Sequence, residues 1–254
     1  MNTEAIKALL APLPGHIALH MEDLATGETL THHADDPIEA ASVIKLPIMA
    51  EAFRQFECGE LDPAEPVTIR PEDKLPSCGA LTYLRDGTTV TLLDLVTLMI
   101  ILSDNTATNL LIDRLGMANI NAMIDGLRLT GTRLNRKLFQ PELARQGVKN
   151  YVTARDMATL LRAIHAGTLV NERASADMLA TLRDQRLNGK MPFFLHDRGI
   201  ACAHKTGEDD GVTHDVGIIF AEHPIILCFL SEQTDVPRAE RALQDIAAIA
   251  ADLR

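Results

Sequence analysis

Ser42-Val43-Ile44-Lys45 follows Ala40-Ala41 and opens an apolar run from Leu46 to Phe53. The run reads as a buried helix with Ser42 and Lys45 in its first turn. Side chains three residues apart on a helix are neighbours, so the hydroxyl and the amine can lie side by side. Serine is also a common helix N-cap, and taken alone the stretch is a cap. Its meaning depends on what surrounds it.

Working outward toward the C-terminus, the Ser42 helix runs to about Cys58-Gly59, where glycine suits the C-cap. Val67-Thr68-Ile69 reads as a short strand in a loop-like region. Thr91 N-caps Leu92 to Leu102, which is apolar on nearly all sides and is expected to be wholly buried. Ser103-Asp104-Asn105 then breaks the apolar run. Helices follow over Thr106 to Leu115, closed by Gly116, and from Met117 to about Leu127. Ser103 or Asp104 could simply cap the next helix. From Thr132 to Asn150 there is no clean period, and a loop of that length in a compact domain is usually functional. Thr153 caps a helix through His165, and another spans Asn171 to Arg183.

The two ends of the chain have a different character. Glu4 to Leu10 is a short helix; His16 to Met21 and Thr29 to His32 form a hairpin. Ile200 to His204, Val212 to Phe220 and Ile225 to Ser231 read as strands, and Arg238 to Leu253 as an amphipathic helix. Strands at both ends with helices between imply that the ends pair. The expected architecture is α/β of the α+β kind: an antiparallel sheet with flanking helices and an inserted all-helical lobe. The boundaries fall at 1–40 with 192–254 for the sheet lobe and 41–191 for the helical lobe, with a site in the cleft between them. Lys205-Thr206-Gly207 sits at the expected end of a strand, just before a turn, and alone is no more than that.

Bulk properties exclude several classes. The 254 residues are 46% hydrophobic and 23% charged, which argues against disorder. The net charge of −11, without a cluster of basic residues, argues against nucleic-acid binding. The longest apolar run, Leu95–Leu102, is far below the roughly 20 residues a membrane span needs. Met1-Asn2-Thr3-Glu4 lacks the pattern of an export signal. The chain as it stands is expected in the cytoplasm, or outside as a mature form whose signal was removed. Cys58, Cys78, Cys202 and Cys228 form no C-x-x-C pair and are expected as small core residues. His32-His33 and Asp35-Asp36 are expected at the surface, because adjacent strand residues point to opposite faces. No metal and no cofactor is expected.

Ser42-x-x-Lys45, Ser103-Asp104-Asn105 and Lys205-Thr206-Gly207, in this order, resemble the motif set of class A β-lactamases and penicillin-binding serine hydrolases. The resemblance extends through Thr106-Ala107-Thr108-Asn109-Leu110-Leu111, through Thr132 to Arg136, which looks like the start of the family's omega loop, and through Thr153 to Ala158. It implies the β-lactamase/transpeptidase-like fold. It implies Ser42 as nucleophile, Lys45 as base and Ser103 as proton relay. Asn105 would hold the substrate's side-chain amide, Lys205 and Thr206 its carboxylate. The backbone N–H groups of Ser42 and of Glu208, after Gly207, would form the oxyanion hole. The implied partner is a small molecule: a β-lactam, ester or peptide.

The resemblance breaks in the omega loop. The class A pattern expects a glutamate that activates the deacylating water. Here the loop reads Arg136-Lys137-Leu138-Phe139-Gln140-Pro141-Glu142-Leu143-Ala144. Aligned without a gap, Leu138 takes the glutamate's place; with a small insertion, Gln140 does. Glu142 is the nearest carboxylate and is expected to be solvated. The expected activity is therefore acylation of Ser42 with slow deacylation; the alternatives are a D-alanyl carboxypeptidase or esterase, or a penicillin-binding module that stays acylated. Glu208-Asp209-Asp210 makes one side of the cleft acidic, which could favour substrates carrying an amine. His214 could line the cleft or be a satisfied strand histidine.

Overall fold

The computed structural model describes residues 2–252. In chain order the elements are α1 (Thr3–Leu10), β1 (His16–Asp23), β2 (Thr29–His32), β3 (Ile38–Glu39), α2 (Lys45–Glu57), β4 (Pro66–Thr68), β5 (Thr89–Thr91), α3 (Leu92–Ile101), α4 (Asn105–Leu115), α5 (Met117–Gly126), α6 (Pro141–Arg145), β6 (Tyr151–Val152), α7 (Ala154–His165), α8 (Glu172–Arg183), β7 (Ala201–Asp209), β8 (Val212–Phe220), β9 (Pro224–Glu232) and α9 (Val236–Ala251). The expected end of the last helix, at Leu253, lies outside the described residues.

Antiparallel pairing joins the two ends of the chain. The main sheet has the order β2-β1-β9-β8-β7, so β1 lies against β9, with Leu19 opposite Phe229. Side chains alternate across β9. Ile226, Cys228 and Leu230 enter one apolar cluster, with residues of α2, α3, α4, α7 and α8. Ile225, Leu227 and Phe229 enter a second, with Ile6 of α1 and Leu243, Ile246 and Ala250 of α9. A sheet covered on both faces explains why β9 reads as a continuous apolar run from Ile225 to Leu230 instead of an alternating one.

Local chemistry sets the helix ends. The side chains of Thr91, Asp104, Thr153 and Asn171 each accept a backbone N–H at the start of α3, α4, α7 and α8. Each such cap contributes about 1 kcal/mol. Ser42 is not a cap. It lies in a 3-10 turn, Ala41–Ile44, that runs straight into α2, and neither helix start has a side-chain cap.

Three sequence expectations need correction. Lys205-Thr206-Gly207 is not at a strand end: β7 continues through Asp209, which pairs with Val212. Glu208 and Asp209 of the acidic run form the exposed end of that strand, and the turn begins at Asp210. Helix α3 is not buried all round, since Leu93 is 42% exposed on its outer face. Of the four cysteines, all of them free, Cys228 is buried, Cys58 is exposed, and Cys78 and Cys202 are partly buried. Cys58 follows the last turn of α2, where the chain leaves the core.

Candidate active site

Three elements converge on Ser42. The 3-10 turn carries Ser42, and α2 begins at Lys45. The break between α3 and α4 carries Ser103, at φ +53, a left-handed conformation that non-glycine residues adopt only at a cost. Asp104 fixes this break. Its carboxylate accepts N–H groups from Ala107, Ala80 and Leu81 at 2.9, 2.7 and 2.9 Å. The third element is β7, the edge strand of the sheet. It can lie against the Ser42 turn because residue 207 is glycine: a Cβ there would stand 2.9 Å from His214 Cδ2 and 3.2 Å from Val43 Cγ2.

Lys45 is the centre of the constellation. Its Nζ lies 2.9 Å from each of Ser42 Oγ, Ser103 Oγ, Ser103 O and Asn105 Oδ1. An ammonium has only three N–H donors for these four oxygens. A neutral amine likewise offers three sites, so the count of partners does not choose between the forms; in the neutral one, two N–H groups serve the carbonyl oxygens and the lone pair faces one hydroxyl. The electrostatics favour that form. Burial, and secondarily the charge of Lys205, push the Lys45 amine well below the usual lysine range, against the opposing pull of Cys78 and Asp104. Lys205 Nζ lies 3.1 Å from Ser103 Oγ and donates to Thr206 O at 2.8 Å. Burial brings Lys205 down to about 7, opposed chiefly by Asp215. Ser103 Oγ thus bridges two buried amines, and a proton can pass along this chain.

The cleft has a volume of about 780 Å³. Ser42, Asn105 and Glu208 line it together with Leu138, Phe139 and Gln140 of the omega loop. Of the residues singled out from the sequence, Ser42, Lys45, Ser103, Asn105 and Lys205 are joined by the hydrogen bonds above. Thr206, which is buried, and Gly207 follow Lys205 on β7, and Glu208 is at the rim. His214 does not line the cleft. It is buried: its Nε2–H donates to Glu39 O at 2.8 Å, and Nδ1 accepts the Ser231 N–H at 3.1 Å.

The omega loop is held by amides. Asn109 accepts the Leu138 N–H and donates to Leu138 O, both at 2.9 Å. Asn150 accepts the N–H groups of Asn135 and Arg136 and donates to Arg136 O. Gln140 turns its Oε1 onto the Lys137 N–H at 2.9 Å. Glu142 faces solvent and pairs with Arg145. The omega-loop residues that line the cleft, Arg136, Leu138 to Pro141, Ala144 and Asn150, therefore carry no carboxylate.

Sequence reasoning missed Asn109 and Lys190. Asn109 could have been found, since it lies one helical turn past Asn105 on the same face. Lys190 could not, because it lies in an irregular linker. It is 4% exposed, donates to Gly207 O at 3.1 Å, and pairs with Glu208 at 3.1 Å. The acidic rim is thus partly neutralised from behind.

A family model described as the beta-lactamase enzyme family matches residues 2–253. The chain belongs to that family. Among solved structures, a β-lactamase from Sphaerobacter thermophilus is 31% identical, with a TM-score of 0.91 over 98% of this chain and 97% of that one. PBP-A is 29% identical, with a TM-score of 0.88 over 98% and 94%. A variant of PBP-A, 28% identical to this chain at a TM-score of 0.87 over 98% and 94%, was solved as an acyl-enzyme complex with penicillin G. Membership accounts for the mixed helix and antiparallel-sheet architecture and makes this chain a serine β-lactamase-like hydrolase. No helix among the described residues is long and apolar enough to cross a membrane.

Proposed function

We propose that this hydrolase opens β-lactams and related amides or esters through an acyl-enzyme on Ser42, and that deacylation is slow. The contact that carries the proposal is the placement of a fully buried Lys45 amine 2.9 Å from both Ser42 Oγ and Ser103 Oγ. Neutral Lys45 takes the Ser42 proton while Oγ bonds to the substrate carbonyl carbon. The oxyanion forms between the backbone N–H groups of Ser42 and Glu208. Such donors are worth about 2.7–4 kcal/mol each in measured holes. As the C–N bond breaks, the proton passes from Lys45 through Ser103 to the leaving nitrogen, which leaves an ester on Ser42. Asn105 holds the side-chain amide of the substrate; Lys205 and Thr206 hold its carboxylate. The site lies where the sheet lobe, 1–40 with 192–254, meets the helical lobe, 41–191.

Slow deacylation follows from the cleft wall. Neither Leu138 nor Gln140 is a base, and Glu142 points outward. The penicillin G acyl-enzyme of the PBP-A variant supports this first half of the cycle. A second reading, a D-alanyl carboxypeptidase or esterase, is favoured by Glu208 and Asp209 at the rim, which suit a substrate carrying an amine. Rapid mixing with a chromogenic cephalosporin tests the proposal. A burst of product equal to the enzyme, followed by slow turnover, is expected. Fast linear turnover refutes slow deacylation. Turnover of D-Ala-D-Ala peptides with no cephalosporin burst supports the second reading.

A further inference from the structure

His16 and the turn that carries His33 and Asp36 meet at the end of the sheet where β1 begins and β9 ends. His16 opens β1, opposite Glu232 of β9. His33 follows β2 at φ +47, and Asp36 donates its N–H to His33 O at 3.1 Å, which closes a tight turn. Asp36 Oδ2 lies 3.1 Å from His16 Nε2 and 3.3 Å from His33 Nδ1. One donor atom from each residue lies within 4.8 Å of the other two. The surface exposure expected for His33 and Asp36 is present, but the sequence did not show that His16 would join them.

From these contacts we infer that His16, His33 and Asp36 form a binding site for one divalent transition-metal ion of the zinc type. Three further features support this beyond proximity. His16 Nε2 is shielded from solvent and, although it faces Asp36, makes no hydrogen bond. Bonding to a cation would satisfy that nitrogen. Asp36 has no arginine or lysine partner among the described residues, whereas its neighbour Asp35 is taken by Arg155. Its charge is directed at two imidazoles. The spacing also fits. Donors about 2.0–2.1 Å from a tetrahedral ion stand about 3.3 Å apart, close to both measured separations from Asp36.

The donor set defines the ligand class. Two imidazole nitrogens and one carboxylate oxygen suit Zn²⁺, Co²⁺, Ni²⁺ or Cu²⁺, whereas Mg²⁺ and Ca²⁺ prefer all-oxygen sites. The three side chains are partly exposed, which leaves a fourth position open to water. The His32 ring meets His33 edge-on at 4.3 Å and limits its rotation. An ion here would tie the start of β1 to the turn that leads through β3 to Ser42.

Calorimetric titration of the chelator-stripped full chain with ZnCl₂ tests the inference. The expected result is one equivalent bound at micromolar affinity or tighter, weakened at least tenfold by His16→Ala, His33→Ala and Asp36→Asn. His196→Ala, at an exposed histidine elsewhere, serves as the control and is expected to bind like the parent. Cobalt(II) gives a second readout on the unaltered protein. Intense visible bands of a four-coordinate ion are expected, and a spectrum of the hydrated ion alone overturns the inference. So does the absence of zinc binding, zinc binding that survives all three substitutions, or an equal loss in the control.

Discussion

Nζ of Lys45 lies 2.9 Å from Oγ of Ser42, and the lysine is fully buried. Geometry and burial act together here: contact makes proton transfer possible, and desolvation supplies the neutral amine that can accept the proton. Lys45→Met, close in volume and unable to take a proton, is expected to slow acylation by penicillin about 10²–10⁴-fold, the range for loss of a general base. Stopped-flow acylation rates measure this. A rate within threefold of the parent would remove Lys45 from the mechanism.

The acylation rate is expected to follow a bell in pH. Lys45 must be neutral, so the rate rises as pH passes its lowered value. Lys205 must be charged to hold a carboxylate, so kcat/KM falls above about 7. The falling limb should be present for an anionic penicillin and absent for an uncharged ester. An identical limb for both substrates would show that Lys205 does not bind the carboxylate.

Leu138 is held on both sides of its peptide unit by Asn109 and faces the cleft. Gln140 lines the same wall, but its side-chain oxygen is committed to the Lys137 N–H. Leu138→Glu is therefore expected to speed deacylation at least tenfold, and Gln140→Glu to change it less than threefold. Decay of the acyl-enzyme after a chase with an unreactive competitor measures both. The reverse order would place the missing base at Gln140.

His214 contributes to acid sensitivity. Burial pushes it down to about 4, and its Nδ1 already accepts the Ser231 N–H. The unfolded chain, with an ordinary histidine, binds more protons between about 4 and 6.5. Stability is thus fully present above that window and is lost as pH falls through it, by about 3 kcal/mol from this residue. His214→Gln keeps a donor and an acceptor without the titration. Its urea midpoint should fall less than the parent's between pH 6.5 and pH 4.5; equal falls would refute the assignment.

The parts of this protein that sequence made legible are those set by local pattern. Apolar periodicity and caps such as Thr91 and Thr153 located the helices, and the three short motifs located Ser42, Lys45, Ser103 and Lys205. What it hid depends on contacts between distant segments. Nothing local distinguishes an acidic strand end from a turn, so the sequence ends this strand at His204, whereas pairing with β8 carries β7 to Asp209. The choice between Leu138 and Gln140 needed Asn109, 29 residues upstream of Leu138. Lys190 and His16 acquire their partners only when the sheet brings them there.

Intact-mass measurement after mixing with penicillin G tests the central claim most directly. The parent chain should gain the mass of the whole penicillin, with the adduct lasting long after free penicillin is removed, and Ser42→Ala should gain nothing. Labelling of Ser42→Ala to the same extent as the parent would contradict the account.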